Sequence, residues 1–469
     1  MPDFGKLLPA ILLAGTVGSG VTLSQFVLPP TALAQTVAPA TSAPATALPP
    51  PPKATGDKPA SASESEEAVL NRGSYIARAA DCVACHTAVG GKPFAGGLKI
   101  ATPMGNVVST NITPDPEHGI GKYSEAEFEQ AVRHGVRRDG SNLFPVMPYV
   151  SYAGMTDQDV HALYVWFMHK VEAVPFAPPE SETTLPSSMR TAMTAWNFVT
   201  TMEKPETGDS SAYDPIRRGR YLTNALAHCG TCHTPRNFML SEKQDHYLAG
   251  ASLDGWYAPN ITSSKTSGIG AWSEDDIVTY LHTGRLAGHA QAAGPMGEAV
   301  EHSLNYLSEK DLRAIAAYLR QVAPMEDDLD NKPRDGFGKA VNVPDIRHKA
   351  PTRIDDLSEL DGQGIYDANC AACHGRNGAG TVNRYAPSLF NNSTVGSARP
   401  DNLIMTILHG VTRKTKDDHA FMPDFGATSD VQRLSDTEIA NLVNYLMETF
   451  GSGDRHVAPN QIADFRKDQ

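Results

Sequence analysis

One five-residue pattern, C-x-x-C-H, limits what this chain can become more than any other feature. It occurs three times, as Cys82-Val83-Ala84-Cys85-His86, Cys229-Gly230-Thr231-Cys232-His233 and Cys370-Ala371-Ala372-Cys373-His374, and the three copies use all 6 cysteines. On a helical turn, residues at i, i+3 and i+4 project from one face. Two thiols so placed reach the two vinyl groups of one haem, and the adjacent imidazole stands over the iron as an axial ligand. A zinc site would pair two C-x-x-C units at short spacing, whereas these lie far apart in the chain. A thioredoxin-like dithiol needs no His after its second Cys. A disulfide framework belongs to short, cysteine-dense chains, and 6 cysteines in 469 residues is sparse. The pattern therefore predicts three haem c groups bound through Cys82, Cys85, Cys229, Cys232, Cys370 and Cys373, with His86, His233 and His374 as axial ligands to iron.

A chain of 469 residues suggests about three domains, which agrees with the motif count. The 34 Pro and 39 Gly argue for many loops. The net charge of −13 argues against a nucleic-acid partner, which needs a basic face. Residues 1–34 read as a signal peptide: Lys6 is the basic start, Leu7 to Leu28 is largely apolar, and Ala32-Leu33-Ala34 is a small-residue cleavage site before Gln35. Export fits the covalent haem, which bacteria attach outside the cytoplasm, so a periplasmic location is expected. Residues 35–65, with Pro49-Pro50-Pro51-Pro52, form a low-complexity tract that reads as a disordered tether. No other segment offers the roughly 18 uninterrupted apolar residues of a spanning helix.

One unit then recurs with a period of about 145 residues, over 66–178, 213–325 and 357–452. Each copy opens on a glycine–aromatic helix: Gly73-Ser74-Tyr75, Gly219-Arg220-Tyr221 and Gly364-Ile365-Tyr366. The glycine should let this helix approach the closing one. The closing helices read as Asp157 to Val171, Glu309 to Val322 and Ser435 to Phe450, with Thr156, Ser308 and Ser435 as N-caps and an acid three residues on. Tyr164, Tyr318 and Tyr445 recur in these helices as packing residues. The first two copies also share Asn-Ile-Thr (Asn111, Asn260) followed by Gly-Ile-Gly. Residues 179–212 connect the first two copies. Within them, Leu185 to Met202 reads as a helix packed between domains or lying on a membrane surface, with Trp196 at the boundary. Residues 326–356 read as a linker and 453–469 as a C-terminal tail.

Each copy places a methionine before its closing helix: Met147, Met296 and Met422. The recurrence marks them as second axial ligands, and thioether ligation raises the potential. A lone Met is otherwise core filler. His134 and His409 compete for that role, but the second copy has Thr283 in their place. Pro259 and Pro387 sit where class I cytochromes c place a proline whose carbonyl accepts the axial imidazole N–H. The first copy has Thr110 there. The cluster Arg413-Lys414-Thr415-Lys416 is either a dock for an acidic partner edge or a solvated loop. No G-x-G-x-x-G fingerprint follows a strand, so no flavin site is expected on this chain.

These stretches, with Ser109-Thr110-Asn111-Ile112-Thr113-Pro114, Ala227-His228 through Phe238, Ala293-Gly294-Pro295-Met296 and Glu301-His302-Ser303-Leu304, resemble the trihaem cytochrome c subunit of bacterial membrane-bound dehydrogenases. That family serves FAD-dependent fructose, sorbitol and gluconate dehydrogenases and the quinohaemoprotein alcohol dehydrogenases. The resemblance implies a mainly α fold of three tandem class I cytochrome c domains joined by linkers, with no catalysis on this chain. It implies a catalytic partner subunit, FAD-containing and accompanied by a small subunit, with ubiquinone as acceptor at the membrane. Fructose dehydrogenase cytochrome subunits carry a C-terminal apolar segment. Ile462 to Gln469 is not one, so peripheral attachment, for example through Leu185 to Met202, is expected here. A cytochrome subunit of a quinoprotein alcohol or an aldehyde dehydrogenase, and a peroxidase-like multihaem enzyme, are the alternatives.

Overall fold

The computed structural model describes residues 64–102, 105–183, 194, 213–343, 361–453 and 455–467. The signal peptide, nearly all of the tether, and Leu185 to Met202 apart from Thr194 lie outside the described residues, as do 344–360. No described helix is long and apolar enough to cross a membrane.

Three helix pairs dominate. Each repeat opens with a helix (Glu66–Ala79, Pro215–Tyr221, Gly362–Asn369) and closes with another (Asp157–Lys170, Glu309–Leu319, Asp436–Phe450). They cross at a glycine. A Cβ on Gly73 would stand 2.0 Å from Ala162 O, one on Gly219 1.9 Å from Ala314 O, and one on Gly362 2.2 Å from Asn441 O. No side chain survives such distances, so the crossing requires glycine. In the third repeat the crossing residue is Gly362, not the Gly364 expected from the Gly-x-Tyr pattern. Gly364 instead gives its N–H to the capping Asp361 Oδ1 at 2.8 Å. The second repeat has one residue more than the first between this glycine and its first cysteine, and a π turn at Leu222–Leu226 takes it up.

The closing helices start at the expected caps, where Thr156, Ser308 and Ser435 accept from Asp159, Asp311 and Glu438 N–H. Only Ser435 and Glu438 form the reciprocal box. The carboxylates of Asp159 and Asp311 are drawn away to arginines and tyrosines: Arg72 and Tyr221 for the first, Arg218 and Tyr75 for the second. A third helix in each repeat (Glu125–His134, Glu274–Thr283, Asp401–His409) ends at Gly135, Gly284 or Gly410, all at positive φ. Among the described residues, four small antiparallel sheets complete the fold, one of which takes Glu182–Thr183 as a third strand.

The first two repeats share one continuous apolar core, which includes Ile76, Phe167, Leu222, Leu248 and Leu312. The third has its own, around Tyr366, Ile439 and Phe450. It is joined to the second through Arg413 of the strand Val411–Lys414, a guanidinium only 1% exposed. Arg413 Nη1 donates to Ala292 O at 2.5 Å, Lys414 N to Glu301 Oε2 at 3.1 Å, and Lys416 Nζ lies 4.4 Å from the Tyr306 ring centroid. Of the basic cluster, Arg413 is thus spent inside the chain, whereas the Lys414 and Lys416 side chains stay exposed.

Two stretches read as connectors are packed. The described part of 326–356 runs along both later repeats, with Asp327 paired to Arg399 at 3.0 Å and Val341 N donating to Asn377 O at 3.2 Å. The tail forms the helix Pro459–Lys467, which buries Ile462 completely and pairs Arg466 with Asp436 at 2.6 Å.

Candidate haem sites

Each C-x-x-C-H lies on a short helix (Cys82–Cys85, Cys229–His233, Ala371–His374). In the first two, the residue before it, Asp81 or His228, takes a left-handed conformation (φ 51° and 38°) that turns the chain from the opening helix into the motif. No disulfide joins any of the six cysteines. Burial pushes the thiols of Cys82, Cys229 and Cys370 up to about 12. A redox dithiol or a thiolate nucleophile needs the opposite shift. Among the described residues no cluster of three or more His, Cys, Asp or Glu could hold a metal ion. The zinc and dithiol readings therefore fail, while a thioether, which carries no charge, suits an apolar setting.

The three histidines are held alike. His86 Nδ1–H donates to Thr110 O at 2.7 Å, His233 to Pro259 O at 2.6 Å and His374 to Pro387 O at 3.0 Å. Such a bond fixes the ring and its tautomer and leaves Nε2 as the free donor to a metal. Burial lowers the pKa of all three rings, that of His233 to about 4, so they are neutral at pH 7, the form a metal binds. Thr110 makes the same bond as the two prolines because the acceptor is a backbone carbonyl. The shared Asn-Ile-Thr points to it: Asn111 Oδ1 accepts from Thr113 N and Oγ1, and Asn260 Oδ1 from Thr262 N and Oγ1, at 2.9 and 2.7 Å in both. The Asn side chain thereby shapes the loop that presents the carbonyl.

In the second repeat Cys229, Cys232, His233, Pro259 and Met296 line one cavity. Its walls are mainly apolar, with Ile261, Ile269, Leu281 and Ile315 among them. Met296 enters from the first turn of the helix Gly294–His302, whose Gly294 (φ 50°) lies where a Cβ would strike the Trp256 ring at 2.5 Å. Met147 packs on the same core as Cys82, and Met422, at the end of the strand His419–Met422, on the same core as Cys370. His134 and His409 are exposed and precede the glycine C-caps, so their pattern marks helix ends. The cavity also contains residues that motif reasoning passed over: Asp81 of the first repeat, Arg334 of the segment after the second, and Ser393 and Thr406 of the third. Nothing in their local sequence signals this, because they arrive from other parts of the fold.

Haem c fits what is there: thiols at the right spacing, an imidazole with Nε2 unengaged, a thioether facing the same space, and apolar walls. Such a site exchanges single electrons, and the fold that carries it is that of a c-type cytochrome. The cytochrome c family profile matches residues 216–323 and 360–450. Similarity to individual proteins goes further. The chain is 43% identical to the fructose dehydrogenase cytochrome subunit of Gluconobacter japonicus, over 88% of this chain and 85% of that one. It is 39% identical to the gluconate 2-dehydrogenase cytochrome c subunit of Pantoea cypripedii (87% and 91% covered), and 38% to the cytochrome c subunit of the quinone alcohol dehydrogenase of Gluconacetobacter polyoxogenes (84% and 83%). The chain belongs to this family of dehydrogenase cytochrome c subunits. It is an electron-transfer subunit and not the chain that oxidises the substrate.

Proposed function

We propose that this chain holds three haems c in three tandem class I cytochrome c domains (66–178, 213–325 and 357–452). In this reading it carries electrons from the FAD-containing catalytic subunit of a sugar or polyol dehydrogenase to ubiquinone. Haem, when bound, supplies a one-electron iron couple. The protein supplies the thioether anchors Cys82, Cys85, Cys229, Cys232, Cys370 and Cys373, and the axial pairs His86/Met147, His233/Met296 and His374/Met422. Thr110, Pro259 and Pro387 orient the imidazoles. The observation that carries this reading is the cavity shared by His233 and Met296, together with the imidazole-to-carbonyl bond made three times.

The haem count tests it directly: pyridine haemochrome analysis should return three haems per chain. Met147→Ala, Met296→Ala and Met422→Ala should each turn one of the three high-spin. Fewer haems, or a native high-spin fraction, would overturn the reading. Purification of the intact complex should bring down a flavoprotein whose substrate reduces this chain, which in turn reduces a ubiquinone analogue. The quinone alcohol dehydrogenase relative favours a second reading, in which the co-purifying chain carries a quinone cofactor, and its absorption spectrum separates the two. The same reading puts the protein on the periplasmic side of the cytoplasmic membrane, with residues 1–34 removed and Leu185 to Met202 as a peripheral contact. N-terminal sequencing should then start at Gln35.

A further inference from the structure

The segment after the second repeat does more than connect. Arg334, in the turn Arg334–Gly336, lines the cavity that His233 and Met296 share. It is the one arginine or lysine among the residues lining it. Its Nη2 donates to Asn260 O at 3.1 Å, one residue from the carbonyl that holds His233. The third repeat packs against its backbone: a Cβ on Gly396 would lie 1.9 Å from Arg334 O, so no side chain fits between them. Of the nearby carboxylates, Asp330 acts on Arg334 from beyond ion-pair distance, and two others are engaged elsewhere. Asp335 Oδ2 accepts from Trp272 Nε1 at 2.7 Å and from His289 Nδ1 at 2.6 Å, and Asp327 pairs with Arg399. Among the described residues Arg334 makes no ion pair.

A half-buried guanidinium whose carboxylate neighbours stay beyond ion-pair distance is costly, and burial outweighs the pull of Asp330 and Asp335 and pushes its pKa down. Such a charge persists where an anion completes the site. The group that fits this cavity bears two propionate carboxylates and is otherwise apolar. We propose that Arg334 is the counter-charge for a propionate of the haem in the second site, which makes the segment between the second and third repeats a working part of that site. Positive charge held next to the haem in low dielectric favours the reduced iron. Arg334 therefore keeps this haem's potential up. The inference rests on the three-haem reading above.

The test is spectroelectrochemical titration of the full-length holoprotein and of Arg334→Gln and Arg334→Lys, with haem content measured alongside. Arg334→Gln should retain three haems and move one of three midpoints negative, by about tenfold in the redox equilibrium constant, or 59 mV for one electron. Freed of its partner, the propionate should also titrate nearer neutrality, so that this midpoint gains a pH dependence the native protein lacks. Arg334→Lys should recover most of the shift. Repeating the pair of measurements in a Met296→His background assigns the shift to the second haem, whose spectrum that change marks. Three retained haems with three unmoved midpoints would overturn the proposal and leave the reading standing. Loss of one haem from either variant would also count against it, since Arg334 would then be needed to hold the haem and not to set its potential. Fewer than three haems in the native protein would instead sink the reading itself.

Discussion

Tyr75 of the first repeat donates a 2.5 Å hydrogen bond to Asp311 Oδ2 of the second, and Tyr221 of the second makes the same bond to Asp159 of the first. Each hydroxyl also accepts from the N–H of the opposite helix cap, Ser308 at 3.1 Å and Thr156 at 3.3 Å. Each carboxylate is met by an arginine from its own repeat, Arg218 at 2.7 Å and Arg72 at 3.3 Å. The contact is self-complementary in the manner of a two-fold interface, and each carboxylate lies in the first turn of a helix, where the dipole favours negative charge.

Tyr75→Phe and Tyr221→Phe should each lower the unfolding free energy by about 2 kcal/mol, the scale of a hydrogen bond to a charged group. Asp311→Ala should cost more, about 3 kcal/mol, because it leaves Arg218 enclosed without its partner. Burial raises the Asp311 pKa, but Arg218 and the Tyr75 hydrogen bond outweigh it and hold the carboxyl below its usual range. A folded-state pKa so depressed contributes stability in full above the ordinary aspartate range, and that stability is lost as pH falls through the depressed value. Urea unfolding of the native protein and Asp311→Asn should therefore differ at pH 7 and converge in acid.

His228 sits between the two repeats, its ring 5.7 Å from that of Tyr152 and close to the Ala80 carbonyl. Burial pushes its pKa down to about 4. The unfolded chain takes up this proton near pH 6.5 and the folded one does not, so stability should fall as pH drops from about 6.5 to about 4, by on the order of 3 kcal/mol. Unfolding midpoints across that window check it, and His228→Gln should flatten the slope.

Gly73→Ala, Gly219→Ala and Gly362→Ala each drive a methyl into a carbonyl about 2 Å away. The helix pair must separate, and a loss of about 1–3 kcal/mol follows from overpacking of this kind. Thermal unfolding of the three variants measures it. Unchanged midpoints would mean that the crossing is looser than these contacts require.

Thr110→Ala should do almost nothing. The acceptor for His86 is the Thr110 main-chain oxygen, which survives the substitution, and stability should stay within about 0.5 kcal/mol. Voltammetry should show all midpoints unmoved. A shifted potential would give the threonine side chain a role that the carbonyl bond does not explain.

The local parts of this protein were legible in its residues. C-x-x-C-H, the helix caps and the Asn-Ile-Thr loops are short-range patterns, in which spacing alone decides which groups share a face or bond to a neighbour. The third crossing glycine was misplaced because Gly362 and Gly364 differ only in what the closing helix brings against them. The same limit hid Arg413, whose charge looked exposed until Ala292 and Asp418 closed over it.

From the sequence alone came three C-x-x-C-H motifs, their closing helices and candidate ligands, since covalent spacing and helical period are written into consecutive residues. The tertiary structure alone decided that Tyr75 would answer Asp311, that Thr110 would serve as well as a proline, and that Arg334 would enter the second cavity. Those depend on chain segments that meet only when burial of a common core pays the entropy of bringing them together.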